Sequence, residues 1–486
     1  MKIRFGVFSF FALCLGAAGC TTKEELPPIG QRISGPTDVE TSPGEDYFYV
    51  LNSDFERKYG EGSILVLSPD GTKVNAVPVP RMGRSIEIVD QTMIAAFDKE
   101  DLDGAEGKVQ IYDLADPSNP VLKQSWDLEC SPLNAVARSG YQYFAVACDG
   151  DMYIGTFGSP LETSTLTRVR SYGYLRRALY IDPARGLLLA FPTDISSQTQ
   201  KDTKYEDKTG FGFEDEELAE ENETPDELEK TRRLRSNRST WRTYQYIVYD
   251  IAAEAAKGFP YKSVSDDNDL SVEAEHRWVY FTLANLDGTP DSDEGALDPT
   301  VKHYRTNFWM AKEDLSSDGS FYLSHRGFDE SVNANNIVKV DIVGDLHATT
   351  KDGDCPANRI AVGTLCVPKT SGVLSFSRAY GFAADKLHYP GDFEIKYVAG
   401  QPLLAVNHFR DPIFFKKEDR SFSIAATVLG EGTWSSELRT TSFTNSYYQI
   451  AVNSSGQAVT GSFYGDSILM LNITPGQDIE IVQKVK

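Results

Sequence analysis

From about residue 35 to its end, this 486-residue chain repeats one phrase. The phrase is a polar residue, a short strand with alternating apolar positions, a turn of Gly, Pro, Asp or Ser, then a second and a third apolar strand. Pro36-Thr37-Asp38-Val39 leads through Ser42-Pro43-Gly44 to Tyr47–Asn52 and then Ser63–Leu67. Pro132–Val136 leads through Ser139-Gly140 to Tyr143–Val146. Tyr448–Val452 leads through Asn453–Gly456 to Ala458–Gly461 and then Ser467–Leu471. Weaker copies start near Arg84, Arg176, Arg305 and Ser377, which makes seven. One such meander cannot bury both of its faces, but copies stacked side by side in a ring can. The length exceeds the usual ~150 residues per domain, yet a ring of repeats counts as one unit.

The expectation is therefore an all-β chain folded as a β-propeller of seven blades over residues 35–486. A β-sandwich or β-solenoid built from the same strands is the alternative. The last copy resembles YVTN and NHL propeller repeats. Residues 107–126, with Val109–Leu114 and Asp116–Pro120, resemble LVIVD-type repeats. The resemblance implies a fold and little about function, because such propellers serve as enzymes, scaffolds and binders alike.

Residues 1–19 read as a signal peptide. Lys2 and Arg4 form a basic start, Phe5–Leu15 is apolar but too short to span a bilayer, and Leu15–Gly19 leads into Cys20. This resembles the bacterial lipobox, with Ala17 where Leu is usual. The resemblance implies lipid on the Cys20 thiol, and several acyl chains at ~0.8 kcal/mol per buried CH₂ make a durable anchor. Thr21 in place of Asp points to the outer membrane by analogy with enterobacterial sorting. Residues 20–34, with Leu26-Pro27-Pro28, read as a lipidated tether.

Four cysteines follow Cys20, and four allow three pairings. A hairpin turning at Ser139-Gly140 brings Cys130 opposite Cys148 to within a residue, a separation a disulfide bridges. Cys355 and Cys366 bracket a short loop with Pro356 and Gly363. The expected pairs are Cys130–Cys148 and Cys355–Cys366. No CxxC occurs and no His is close to either pair, which disfavours a metal site.

The net charge is −23, which disfavours nucleic acid as a partner because displacing counterions from phosphate needs a basic surface. Two stretches depart from the repeat. Residues 196–241 hold an acidic run, Glu214 to Glu229, followed by Arg232, Arg233, Arg235 and Arg238. They are expected as a partly helical or disordered insertion, either merely solvated or a docking arm for a basic partner. Residues 284–303 carry Asp287, Asp291, Asp293, Glu294 and Asp298, oxygen donors suited to a divalent cation such as calcium, without the order of an EF-hand.

No nucleophile elbow, HExxH, P-loop or GxGxxG is present. The six histidines are scattered. In a propeller the polar residue before each innermost strand faces the mouth of the central channel. Those positions are Asp38, Ser85, Asn134, Arg177, Asn307, Arg378 and Gln449. Such a ring can hold a small anion or a metal, although a wet channel needs polar lining in any case. The leading functional expectation is a lipid-anchored propeller that serves as a binding or scaffolding module for a protein or glycan at the cell envelope. The alternative is a metal-dependent, lactonase-like hydrolase, with Asp38, Asn134 and Asn307 as oxygen ligands and no glutamate beside them.

Overall fold

The computed structural model describes residues 28–55, 59–98, 107–148, 151–171, 177–191, 245–261, 278–280, 308–315, 319–325, 336–347, 349–350, 353–356, 359–362, 365–368, 374–378, 392–407, 412–418, 421–427, 447–462, 466–473 and 480–486. Among them, the strands form seven four-stranded antiparallel sheets and one small three-stranded sheet. Residues 1–27, with Cys20, lie outside the described residues, as do 196–241 and 284–303. No helix among the described residues is long and apolar enough to cross a membrane.

Each large sheet is a meander. Sheet 1 is Pro36–Thr41, Phe48–Asn52, Gly62–Leu67 and Lys73–Val79. Sheet 2 is Gly83–Val89, Thr92–Phe97, Gly107–Asp113 and Val121–Leu128, and sheet 3 is Pro132–Ala137, Tyr143–Cys148, Asp151–Thr156 and Thr165–Ser171. Sheet 4 is Ala178–Asp182, Leu187–Phe191, Gln245–Asp250 and Trp278–Tyr280, so the strands on either side of residues 196–241 are direct partners. Sheet 5 is Phe308–Glu313, Phe321–His325, Asn336–Ile342 and Leu374–Arg378. Sheet 6 is Phe393–Val398, Gln401–Asn407, Pro412–Glu418 and Ser421–Thr427. Sheet 7 is Tyr447–Val452, Gln457–Ser462, Ser467–Asn472 and Glu480–Val485.

The apolar pattern explains the stacking. The middle strands are apolar without a break, as in Phe48–Leu51 and Met93–Phe97, because both of their faces are covered by neighbouring sheets. Outer strands such as Val121–Leu128 are largely exposed. Seven apolar clusters occur among the described residues, and each joins one sheet to the next. One of them joins sheet 7 to sheet 1 through Ile468 and Met470 against Phe48 and Leu65. The first strands also contact one another in order around the circle. The architecture is therefore a β-propeller, with first strands inside and fourth strands at the rim.

Among the described residues no strand is exchanged to close the ring: sheet 1 is built from N-terminal strands and sheet 7 from C-terminal ones. Closure rests on the shared apolar cluster and on polar ties. The Gly35 N–H donates to Asp466 Oδ1 at 2.8 Å, Arg32 lies 3.9 Å from Asp466, and the Ser454 N–H donates to Glu45 Oε2 at 2.6 Å. Ile33 is fully buried in the same cluster, so the packed chain starts before residue 35 and takes in the end of the expected tether.

Both expected disulfides are present, with Cα separations of 5.8 Å for Cys130–Cys148 and 5.5 Å for Cys355–Cys366. The second holds the small sheet of Thr349–Thr350, Arg359–Val362 and Leu365–Pro368, an excursion between the third and fourth strands of sheet 5. That excursion corrects one sequence expectation. Ser377 does not open a sixth copy; it lies in the closing strand of sheet 5, and the sixth copy opens at Phe393. The strand Leu374–Arg378 alternates like an inner strand, and the small sheet delays it to where a new copy was expected.

Candidate functional site: the inner ring

In sheets 1, 2, 3 and 7 the first strand skips one residue of pairing near its start, a β-bulge. The first paired residues after the bulge are Asp38, Ser85, Asn134 and Gln449, four of the residues expected at the channel mouth. Arg177 directly precedes the first strand of sheet 4. Asn307 lies outside the described residues. Arg378 is corrected: it is in the outermost strand of sheet 5, paired with Val338, and cannot line the channel. Asp392, directly before Phe393, takes the place expected of it.

These side chains tie each inner strand to the next. Asp38 accepts the N–H of Val39 at 2.9 Å and, across the sheet boundary, that of Ile86 at 2.7 Å. Asp392 does the same, accepting from Phe393 at 2.9 Å and from Ile450 in sheet 7 at 3.0 Å. Glu87 accepts the N–H of Ala137 in sheet 3 at 3.2 Å, and Asn134 donates to the Arg177 carbonyl at 3.3 Å. Ser85 is buried, and its hydroxyl has no hydrogen-bond partner among the described residues; the same is true of Gln449 Oε1.

Residues i and i+2 of a strand share a face. Asp38, Ser85 and Asp392 are each followed two residues on by a glutamate: Glu40, Glu87 and Glu394. Lys312 in the first strand of sheet 5 sits among three carboxylates, its Nζ 3.4 Å from Glu40, 3.6 Å from Glu394 and 4.0 Å from Asp392. Arg138 lies 4.0 Å from Glu87, 3.7 Å from Glu313 and 5.0 Å over the Tyr180 ring. Arg177 stacks on Trp309 at 4.3 Å. The sequence alone points to no glutamate beside Asp38; in the fold Glu40 and Asp392 are its acidic neighbours, and the local signal for the glutamates is their place two residues after the polar residue at the head of the strand.

Burial and crowding set the protonation of this ring. Burial, and then the Asp392 charge, push Asp38 from 3.8 up to about 7. Burial raises Asp392 and Glu394, with Lys312 opposing it in both. Glu40 and Glu87 are raised by burial as well, against Lys312. Burial alone would lower Lys312, but the charges of Glu40, Asp392, Glu394 and Glu87 outweigh it and raise it well above its ordinary value. Burial, and then the Arg84 charge, lower Arg177 to about 10. Among the described residues, no group of three Asp, Glu, His or Cys side chains is arranged to hold a metal ion. His347 is used otherwise: it stands 3.0 Å from Asp345 and 3.7 Å from Asp250, linking sheets 4 and 5.

No protein-family profile matches the chain, and no curated protein is similar to it in sequence. Solved structures similar in backbone include the β-propeller domain of Cps50 (Swd1) from Myceliophteria thermophila. It is 9% identical over 91% of this chain and 98% of that one, with a TM-score of 0.47. Another is a putative 6-phosphogluconolactonase from Bacteroides fragilis, 9% identical over 92% and 97%, with a TM-score of 0.46. A third is a hypothetical selenium-binding protein from Sulfolobus tokodaii, 9% identical over 91% and 92%, with a TM-score of 0.44.

Proposed function

We propose that this chain is a lipoprotein of the bacterial cell envelope, held by lipid on Cys20 at the outer membrane. Its propeller, with the seven large sheets read as seven blades of YVTN/NHL/LVIVD type, is a binding module for a protein or glycan. The observation that carries the non-catalytic reading is the use of the inner ring's charges. Asp38, Glu87 and Asp392 are committed to backbone N–H groups of adjoining sheets, and Lys312 is shared by Glu40, Asp392 and Glu394. The lactonase-like alternative needs carboxylates free to take a divalent cation, and here an ammonium already stands where they converge.

Two measurements test this reading. In the first, Cys20→Ser moves the protein from the membrane fraction to the soluble fraction after a carbonate wash; retention on the membrane overturns the anchor. In the second, protein purified with and without residues 196–241 is used to capture partners from envelope extracts and is assayed for bound metal. The expected result is a partner lost, most at low salt, when the charged segment is removed. A stoichiometric divalent cation together with lactone hydrolysis abolished by Asp392→Asn overturns the binding reading in favour of the enzyme.

A further inference from the structure

The place where the chain joins the ring carries an inference about orientation. Residues 28–33 run across the outer strand of sheet 1. The Gln31 N–H turns back to the Pro28 carbonyl at 3.0 Å, and Gly30 sits against the Ala76 Cβ, where a side chain of its own would clash. Lys73 donates to the Gln31 carbonyl and reaches the Lys486 carbonyl at 3.4 Å, so this crossing lies beside the last strand of sheet 7. Sheets 7 and 1 meet here, with Gly71 facing Gln483 and Val485. On the other side, Asn75 donates to the Ser118 carbonyl at 3.0 Å and joins the rim of sheet 2.

This stretch of rim is apolar in an unusual way. Eight large apolar side chains are exposed among the described residues, and four of them lie on these three consecutive outer strands. They are Val482 at 43% exposure, Val74 at 47%, Val121 at 45% and Leu122 at 48%. Lys73, Lys484 and Lys486 stand beside Val74 and Val482 with Asp70 and Glu480, while Lys123 on the sheet 2 strand is paired with Asp113 and Glu162. Exposed apolar side chains bordered by lysines suit an interface with anionic lipid.

We infer that the rim formed by the outer strands of sheets 7, 1 and 2 lies against the lipid surface, so that the disc stands on edge with both faces open. The inference rests on the lipid anchor proposed above. Seven residues separate Cys20 from Pro28, and the eight Cα–Cα steps between them span at most ~29 Å when fully extended. A body of this length has a radius of gyration of ~23 Å, so a tether of that reach keeps the side where Pro28 joins the ring near the lipid and leaves the opposite rim out of reach.

The test uses the lipidated protein in phosphatidylethanolamine–phosphatidylglycerol vesicles containing a nitroxide-labelled lipid. A fluorophore is placed on Val74→Cys, or on Val482→Cys as a second probe of the same rim, and on Val343→Cys, directly after the third strand of sheet 5. Quenching several-fold stronger at Val74 and Val482 than at Val343 is expected. Equal quenching, or stronger quenching at Val343, overturns the orientation and leaves the anchor standing. A mass for the N-terminal peptide without diacylglycerol on Cys20 overturns the anchor and the orientation with it.

Discussion

Lys312 has a burial cost that only its neighbours offset. Removing one partner from a buried ionic group leaves the others without compensation, which typically costs about 3–5 kcal/mol. Lys312→Met is expected to destabilise the protein by roughly that amount at pH 8. The loss is smaller at pH 5, because the carboxylates it leaves behind take up protons; denaturant melts at the two pH values check this. The wild-type protein has a related dependence. Asp38, Glu40, Glu87, Asp392 and Glu394 all have folded-state values raised above their ordinary ones. The folded protein therefore holds protons that the unfolded chain has already released, and stability falls as pH rises through that window. For Asp38 the window runs from 3.8 to about 7. A melting temperature that rises from pH 8 to pH 5.5, with a smaller rise in Asp38→Asn, is the expected outcome; a flat profile contradicts it.

At the scale of elements, the two disulfides close loops of similar length but hold different things. Cys130–Cys148 fastens the chain ahead of sheet 3 to that sheet's second strand, inside the cluster shared with sheet 2. Opening a loop of 18 residues costs ~3 kcal/mol in the chain-entropy account. Replacing both cysteines by alanine is expected to lower the midpoint of global unfolding accordingly. Cys355–Cys366 fastens the small sheet, which lies outside the stacked sheets. Its removal is expected to speed hydrogen exchange in Arg359–Val362 and Leu365–Pro368 while leaving the global midpoint nearly unchanged. Exchange measured by mass spectrometry separates the two cases.

The whole molecule depends on closing a ring without sharing a strand. Asp466 receives the Gly35 N–H and stands beside Arg32, joining sheet 7 to the stretch before sheet 1. A hydrogen bond from an N–H to a charged acceptor contributes about 1.5–3 kcal/mol. Asp466→Ala is expected to lose about that much, with exchange accelerated first in Pro36–Thr41 and Tyr447–Val452. Uniform acceleration over all sheets would mean that closure is no weaker than the other junctions. Removing residues 196–241 is a contrasting case. Leu187–Phe191 and Gln245–Asp250 pair directly, and loop length enters closure entropy only logarithmically. A short Gly/Ser replacement is therefore expected to keep the melting temperature within a few degrees.

Local features were legible in the sequence. Alternating and unbroken apolar runs marked the strands, Ser139-Gly140 and Asn453–Gly456 marked hairpins, and short spacing paired the cysteines. It also named Asp38, Ser85, Asn134 and Gln449, because a polar residue at the head of an inner strand is a local signal. Which distant strands become neighbours is settled by the closed ring. Arg378 and Asp392 both stand beside an alternating strand, and only the small sheet ahead of Leu374–Arg378 assigns the first to the rim and the second to the channel. Lys312 in sheet 5 meets Glu40 in sheet 1, 272 residues away, because the ring brings them together. Their charges acquire meaning only there, since a buried ionic group is stable through what surrounds it and sequence spacing carries no record of that.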